Sequence, residues 1–162
     1  MFPYKLFLTA AVALSSFSAV YAESWTGFDQ GFREAKAKNL PVIVDFSTKW
    51  CGWCKKMDKD VFSRPDIAAR LAAEFSTVRL DAESSTPLVY KGITMASREF
   101  TYAMNVEGFP TLIVFDAQGN KLSELTGYVE AKYFIMFMDF IKKGCYKKTT
   151  FEQYVRAGGD CR

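Results

Sequence analysis

The 162-residue sequence contains no histidine. That absence excludes a Ser-His-Asp triad, a histidine-ligated metal, a haem held through histidine and an HExxH protease. Chemistry must run on cysteine, carboxylates, lysine or hydroxyls. Excess charge of one sign is also missing. Lys and Arg number 21 against 18 Asp and Glu, and the net charge of +3 is too mild to point to nucleic acid as a partner. Internal repeats and low-complexity tracts are absent. After the first 22 residues no apolar run is long enough to span a bilayer, so no stable membrane insertion is expected. Apolar residues are plentiful instead: 49% of the chain is hydrophobic and 16% aromatic. Such a composition belongs to a folded domain, and one domain of this length can bury a core without needing disulfides to fold.

The first 22 residues read as a leader rather than as fold. Lys5 supplies a positive start, Leu6 to Val20 is uncharged and rich in Ala, Leu, Phe and Ser, and Val20-Tyr21-Ala22 suits a signal peptidase. Cleavage is expected after Ala22, with export to the periplasm; an uncleaved anchor is the alternative. All four cysteines, Cys51, Cys54, Cys145 and Cys161, lie beyond that point. An even count in an exported chain implies two pairs.

Trp25, Phe28, Phe32 and Ala35 recur at helical spacing within Ser24 to Lys38. Val42 to Phe46 has the β-branched character of a central strand covered on both faces. Helix is expected from the second cysteine through Lys59 and, after Ser63-Arg64-Pro65-Asp66, over Ile67 to Phe75. Thr77 to Leu80 reads as a strand, Ala82 to Gly92 as a looser segment and Thr94 to Met104 as a helix. Thr111 to Phe115 and Lys121 to Leu125 form a hairpin about the turn Asp116 to Asn120, and Ala131 to Lys142 is the last helix. Residues 143–162 remain as a basic tail. Alternating helices and strands followed by a hairpin define an α/β fold, a mixed sheet with helices on both faces.

Cys51 and Cys54 stand just after the central strand and at the start of a helix. Unpaired N–H groups and the positive end of the helix dipole favour thiolate there, and Lys49, Lys55 and Lys56 add positive charge. Cys51 is the expected nucleophile, and Cys54, one turn deeper, the thiol that resolves a mixed disulfide. An inert disulfide, or a zinc site completed by Cys145 and Cys161, are the competing readings. Haem attachment requires histidine after the second cysteine, where Lys55 stands.

Val44-Asp45-Phe46, Trp50-Cys51-Gly52-Trp53-Cys54-Lys55 and Gly108-Phe109-Pro110-Thr111 together resemble the thioredoxin family over roughly residues 24–142. Val61 to Pro65 and the Asp116 to Asn120 turn resemble its periplasmic branch. That branch includes the soluble C-terminal domain of membrane thiol:disulfide interchange proteins. The resemblance implies a thioredoxin fold of about four to five strands over residues 23–142. It implies a thiol:disulfide oxidoreductase without cofactor or metal, acting on protein disulfides and supplied with electrons by a membrane donor. It makes Pro110 the cis-proline and Phe109 the residue whose backbone pairs with the client chain. Asp45 falls where the family keeps a buried carboxylate. Such a group is costly in an apolar strand unless paired or protonated, so Asp45 is the candidate acceptor of the Cys54 proton. Arg79, on the next strand, either pairs with it or is exposed. The chain departs from the family in two places. Gly52-Trp53 replaces Gly-Pro, which leaves the direction of electron flow open, reductase being favoured over oxidase or isomerase. Lys59 replaces the helix-kinking proline, so a straighter helix is expected. Trp50 and Trp53 are candidates for an apolar docking surface, with ordinary packing as the alternative. A binding module that docks partners without catalysis is the alternative of another class.

Cys145 and Cys161 enclose the basic tail. A structural disulfide pinning it to the last helix is expected, a second redox relay being the alternative. Lys142, Lys143, Lys147 and Lys148 form a solvated face or touch anionic lipid or an acidic partner.

Overall fold

A computed structural model describes residues 25–161; the leader expected over residues 1–22 lies outside them. The apolar run at Val42 becomes β1 (Val42–Ser47), every residue of which is buried except the last. A strand covered on both faces belongs in the middle of a sheet. The order is β2 (Ser76–Asp81), β1, β5 (Thr111–Phe115), β6 (Lys121–Thr126). β2 runs parallel to β1, β5 antiparallel to β1, and β6 antiparallel to β5. The expected mixed sheet therefore forms with four strands. Thr26 adds a single parallel bridge beside Val78 and covers the outer edge of β2.

Side-chain alternation along β1 divides the core. Val42, Val44 and Phe46 meet Phe28 of α1 (Phe28–Lys38) and Phe100 of α4 (Ser97–Ala103) on one face. Ile43 meets Met57 of α2 (Gly52–Met57), Ile67 of α3 (Pro65–Glu74) and Phe134 of α5 (Ala131–Lys142) on the other. By the period of two, Asp45 points to the same face as Ile43, into the layer that contains α2. Gly31 lets α1 lie close on β2: a Cβ there would stand 2.2 Å from the Val78 side chain.

Three local expectations need correction. Residues 82–96 are not a loose segment running into a helix. They hold a second, two-stranded sheet, β3 (Pro87–Tyr90) and β4 (Ile93–Ala96), and α4 starts only at Ser97. Lys91 and Gly92 turn the chain with φ values of 50° and 81°, the tight hairpin geometry that Asn-Gly more often signals. The helix of the second cysteine is not straighter for lacking a proline. It widens into a π-turn, Asp58–Phe62, closed by the Ser63 N–H donating to the Asp58 carbonyl at 2.9 Å. The widening lets Met57, Val61 and Phe62 all enter the core. The tail is structured as well, with a 3-10 turn (Cys145–Lys147) and a helix, α6 (Phe151–Arg156). Phe151 and Tyr154 of α6 pack on Phe137 and Phe140 of α5, so residues 143–161 extend the core of the domain.

Candidate active site

Three residues separate β1 from Cys51, which caps α2 with an extended backbone. Its Sγ accepts the Cys54 N–H at 3.0 Å, and a disulfide joins the two residues with Cα atoms 5.3 Å apart. Both are buried, Cys51 at 3% and Cys54 at 6% exposure. The helix start thus aims a backbone donor at the first sulfur, the arrangement that stabilises a thiolate.

Aromatic side chains wall this sulfur pair. Trp50 is 66% exposed and Trp53 58%. The Trp50 ring lies 6.0 Å from that of Phe109, and its Nε1–H donates to Glu83 Oε2 at 3.0 Å. The Trp53 ring lies 5.6 Å from that of Tyr128, over which Lys56 Nζ stands at 5.2 Å. A hydrogen bond and the charge of Asp60 hold the Lys56 ammonium above its ordinary pKa. The Phe109–Pro110 peptide is cis, and Pro110 is buried. Thr111 Oγ1 donates to the Gly108 carbonyl at 2.8 Å and the Gly127 N–H to the Pro110 carbonyl at 2.8 Å, which fixes the loop against β6.

Asp45 is 2% exposed and lies opposite Arg79 across the parallel pair of strands. Arg79 Nε is 3.2 Å from its Oδ2. Of the two positions open to Arg79, pairing is the one adopted. The same guanidinium grips Asp58 at the start of the π-turn, with Nη1 donating to Oδ2 at 3.1 Å and Nη2 to Oδ1. Its carbon stands 4.6 Å above the Trp25 ring. One cation therefore ties β2 to the buried carboxylate and to the helix that carries the cysteines. Cys145 and Cys161 form the second disulfide, closing a loop that contains α6, the helix packed on α5. The four cysteines are thus two separate pairs rather than one tetrahedral set.

Sequence reasoning missed four contributors: Trp25, Asp58, Glu83 and Tyr128. Asp58 stands four residues after Cys54, a helical spacing that marks a shared face. The other three reach the site only through the fold.

The strand order and the cysteine pair at the start of the helix after the first strand define the class of thioredoxin-type thiol:disulfide oxidoreductases. The family profile described as a thioredoxin-like domain matches residues 28–142, and the chain belongs to that family. It is 34% identical over 102 residues to the thiol:disulfide interchange protein DsbD of Cronobacter sakazakii, an alignment covering 62% of this chain and 16% of that protein. The chain thus spans about a sixth of the length of the curated relatives it matches. Its fold resembles a thioredoxin-fold protein from Helicobacter pylori, with a TM-score of 0.64 at 21% identity over 74% of this chain and 82% of the other. A thioredoxin from Thermus thermophilus gives 0.61 at 21% identity, over 74% and 88%.

Proposed function

We propose that the protein is an exported reductase of protein disulfides. The observation that carries this reading is the Cys51–Cys54 pair at the start of α2, with a backbone N–H directed at Cys51 Sγ. In the reduced protein the Cys51 thiolate attacks one sulfur of a client disulfide. A mixed disulfide forms, and the departing client sulfur takes up a proton. Cys54 then yields its proton to Asp45, directly or through water, and attacks Cys51 Sγ. The second client thiolate leaves, and the Cys51–Cys54 disulfide is restored. Two electrons pass from the protein dithiol to the client, and a membrane donor returns them by the same steps in reverse.

Trp50, Trp53 and Phe109 hold apolar residues beside the client cysteine, and the Phe109 backbone before Pro110 pairs with the client chain. Exposure of the two tryptophans next to buried sulfurs supports this role. Cys145–Cys161 is structural, holding residues 143–162 to the domain of residues 23–142. Residues 1–22 act as a leader cleaved after Ala22 and deliver the protein to the periplasm. Among the described residues no helix is long and apolar enough to cross a membrane.

The redox potential of the Cys51–Cys54 pair against glutathione tests the direction. A value near about −270 mV is expected for a reductant, whereas one near about −120 mV makes the protein an oxidant.

A further inference from the structure

Phe46 pairs with Thr111 at the end of the sheet from which the chain runs to Cys51, and Val42 pairs with Phe115 at the other. At that other end a single cavity of about 320 Å³ opens between α1, the β3–β4 tip and the β5–β6 turn. Its size falls at the lower end of the range that holds small organic ligands, about 300–1,000 Å³.

Three aromatic rings wall the cavity. The Phe28 ring lies 4.7 Å from that of Phe32 and 6.4 Å from that of Tyr90. The Tyr90 hydroxyl donates to the Gly119 carbonyl at 2.8 Å, which holds its ring in place. Gly119, at φ 84°, keeps space open beside these rings. A Cβ there would stand 3.4 Å from the Tyr90 ring and 3.8 Å from that of Phe32. Val89, large, apolar and exposed, adds to the same lining.

Charge enters the lining from Arg33, Lys36 and Lys91, all exposed, against one carboxylate, Asp29. Asp29 stands four residues before Arg33 on α1, a spacing that permits an ion pair. Its Oδ1 instead accepts the Val89 N–H at 2.9 Å. Among the described residues none of the three cations forms an ion pair. Lys91 Nζ donates to the neutral side-chain amide of Asn120 at 2.9 Å and stands 5.6 Å from the centre of the Tyr90 ring. Its charge is thus held beside the aromatic wall without being neutralised.

The rings and the cations select different parts of one molecule. Aromatic walls favour a flat apolar body, packed offset or edge-on. Unpaired cations favour an anion, and the planar guanidinium of Arg33 matches the two oxygens of a carboxylate. An inorganic anion leaves the rings uncovered, and a neutral or cationic aromatic leaves the cations unpaired. We propose that this cavity binds a small aromatic carboxylate, with its rings against Phe28, Phe32 and Tyr90 and its carboxylate towards Arg33 and Lys91. The inference is independent of the redox chemistry.

Amide chemical shifts of the whole protein, titrated with 2-naphthoate, test it. Acetate supplies the charge without the rings, and 2-naphthylmethylamine the rings with the opposite charge. Saturable shifts at the Val89 and Gly119 N–H groups, with one naphthoate bound per protein, are the expected result. Acetate and the amine bind at least about tenfold more weakly. The variant Arg33→Gln/Lys91→Gln, altered at two exposed positions, keeps the parent's melting temperature and loses about tenfold or more in naphthoate affinity. Absence of shifts at Val89 and Gly119 overturns the proposal, as do shifts confined to Trp50 and Trp53. Binding of the amine or of acetate as tight as that of naphthoate, or a double variant that binds like the parent, overturns it equally.

Discussion

Arg79 stands 3.2 Å from the buried carboxylate of Asp45 while its other nitrogens hold Asp58, at the foot of the helix that carries both cysteines. A buried charge that loses its partner is strongly destabilising, whereas removing both partners is often tolerated. Arg79→Gln is expected to lower stability by about 2–4 kcal/mol in urea unfolding. The double variant Arg79→Gln/Asp45→Asn recovers part of that loss. In single-turnover kinetics Asp45→Asn slows release of the mixed disulfide by about a hundredfold or more while its formation is little changed. Equal slowing of both steps removes Asp45 from the proton pathway.

Trp53 occupies the dipeptide between the cysteines and its ring packs at a tilt against that of Tyr128. Trp53→Ala is expected to raise KM for protein disulfides by about three- to tenfold, the scale of a single aromatic contact. A small-molecule disulfide, which reaches only the sulfurs, is reduced at an unchanged rate. Steady-state kinetics with both substrates checks the difference.

Asp116 organises the β5–β6 turn. Burial pushes its carboxyl up, but hydrogen bonds from Asn120 and Gln118 and the charge of Lys91 outweigh it and hold the group below its ordinary pKa. The unfolded chain then binds the proton more readily than the folded one. This stabilisation is complete above the ordinary carboxylate range and is lost as the pH falls through the folded value. Asp116→Ala is expected to cost about 1–2 kcal/mol at pH 7. The gap between variant and parent narrows below about pH 4 in urea titrations.

The C-terminal segment is bound twice, by the Cys145–Cys161 disulfide and by Tyr154 in the core. Replacing both cysteines with alanine is expected to cost about 3 kcal/mol, the entropy of opening a loop of this size. Tyr154→Ala costs about 3–5 kcal/mol. Insulin reduction per folded molecule stays at the parent level in both. Loss of activity in the cysteine variant makes that pair a redox relay.

Much of this architecture was legible because it rests on local patterns. β1 announces itself through five residues that tolerate burial on both faces, and the cysteine spacing places a thiol at a helix start. The β3–β4 hairpin was hidden because Lys91 occupies a left-handed position that lysine seldom signals. Helix α6 carried a readable sign, Thr150 and Gln153 bonding each other's backbone N–H, but its six residues are too few to show a period. Glu83 and Tyr128 meet the site from 33 and 75 residues away along the chain from Trp50 and Trp53, so only the fold reveals them. The π-turn that begins at Asp58 was hidden too, since the sequence offers no propensity rule for it.

Trapping of the exchange intermediate tests the account most directly. The Cys54→Ser variant, reduced and mixed with a disulfide-bonded client peptide, is expected to accumulate one covalent adduct that peptide mass mapping places on Cys51. Cys51→Ser is expected to form none and to reduce no insulin. An absent adduct at Cys51, or insulin reduction by Cys51→Ser at the parent rate, contradicts it.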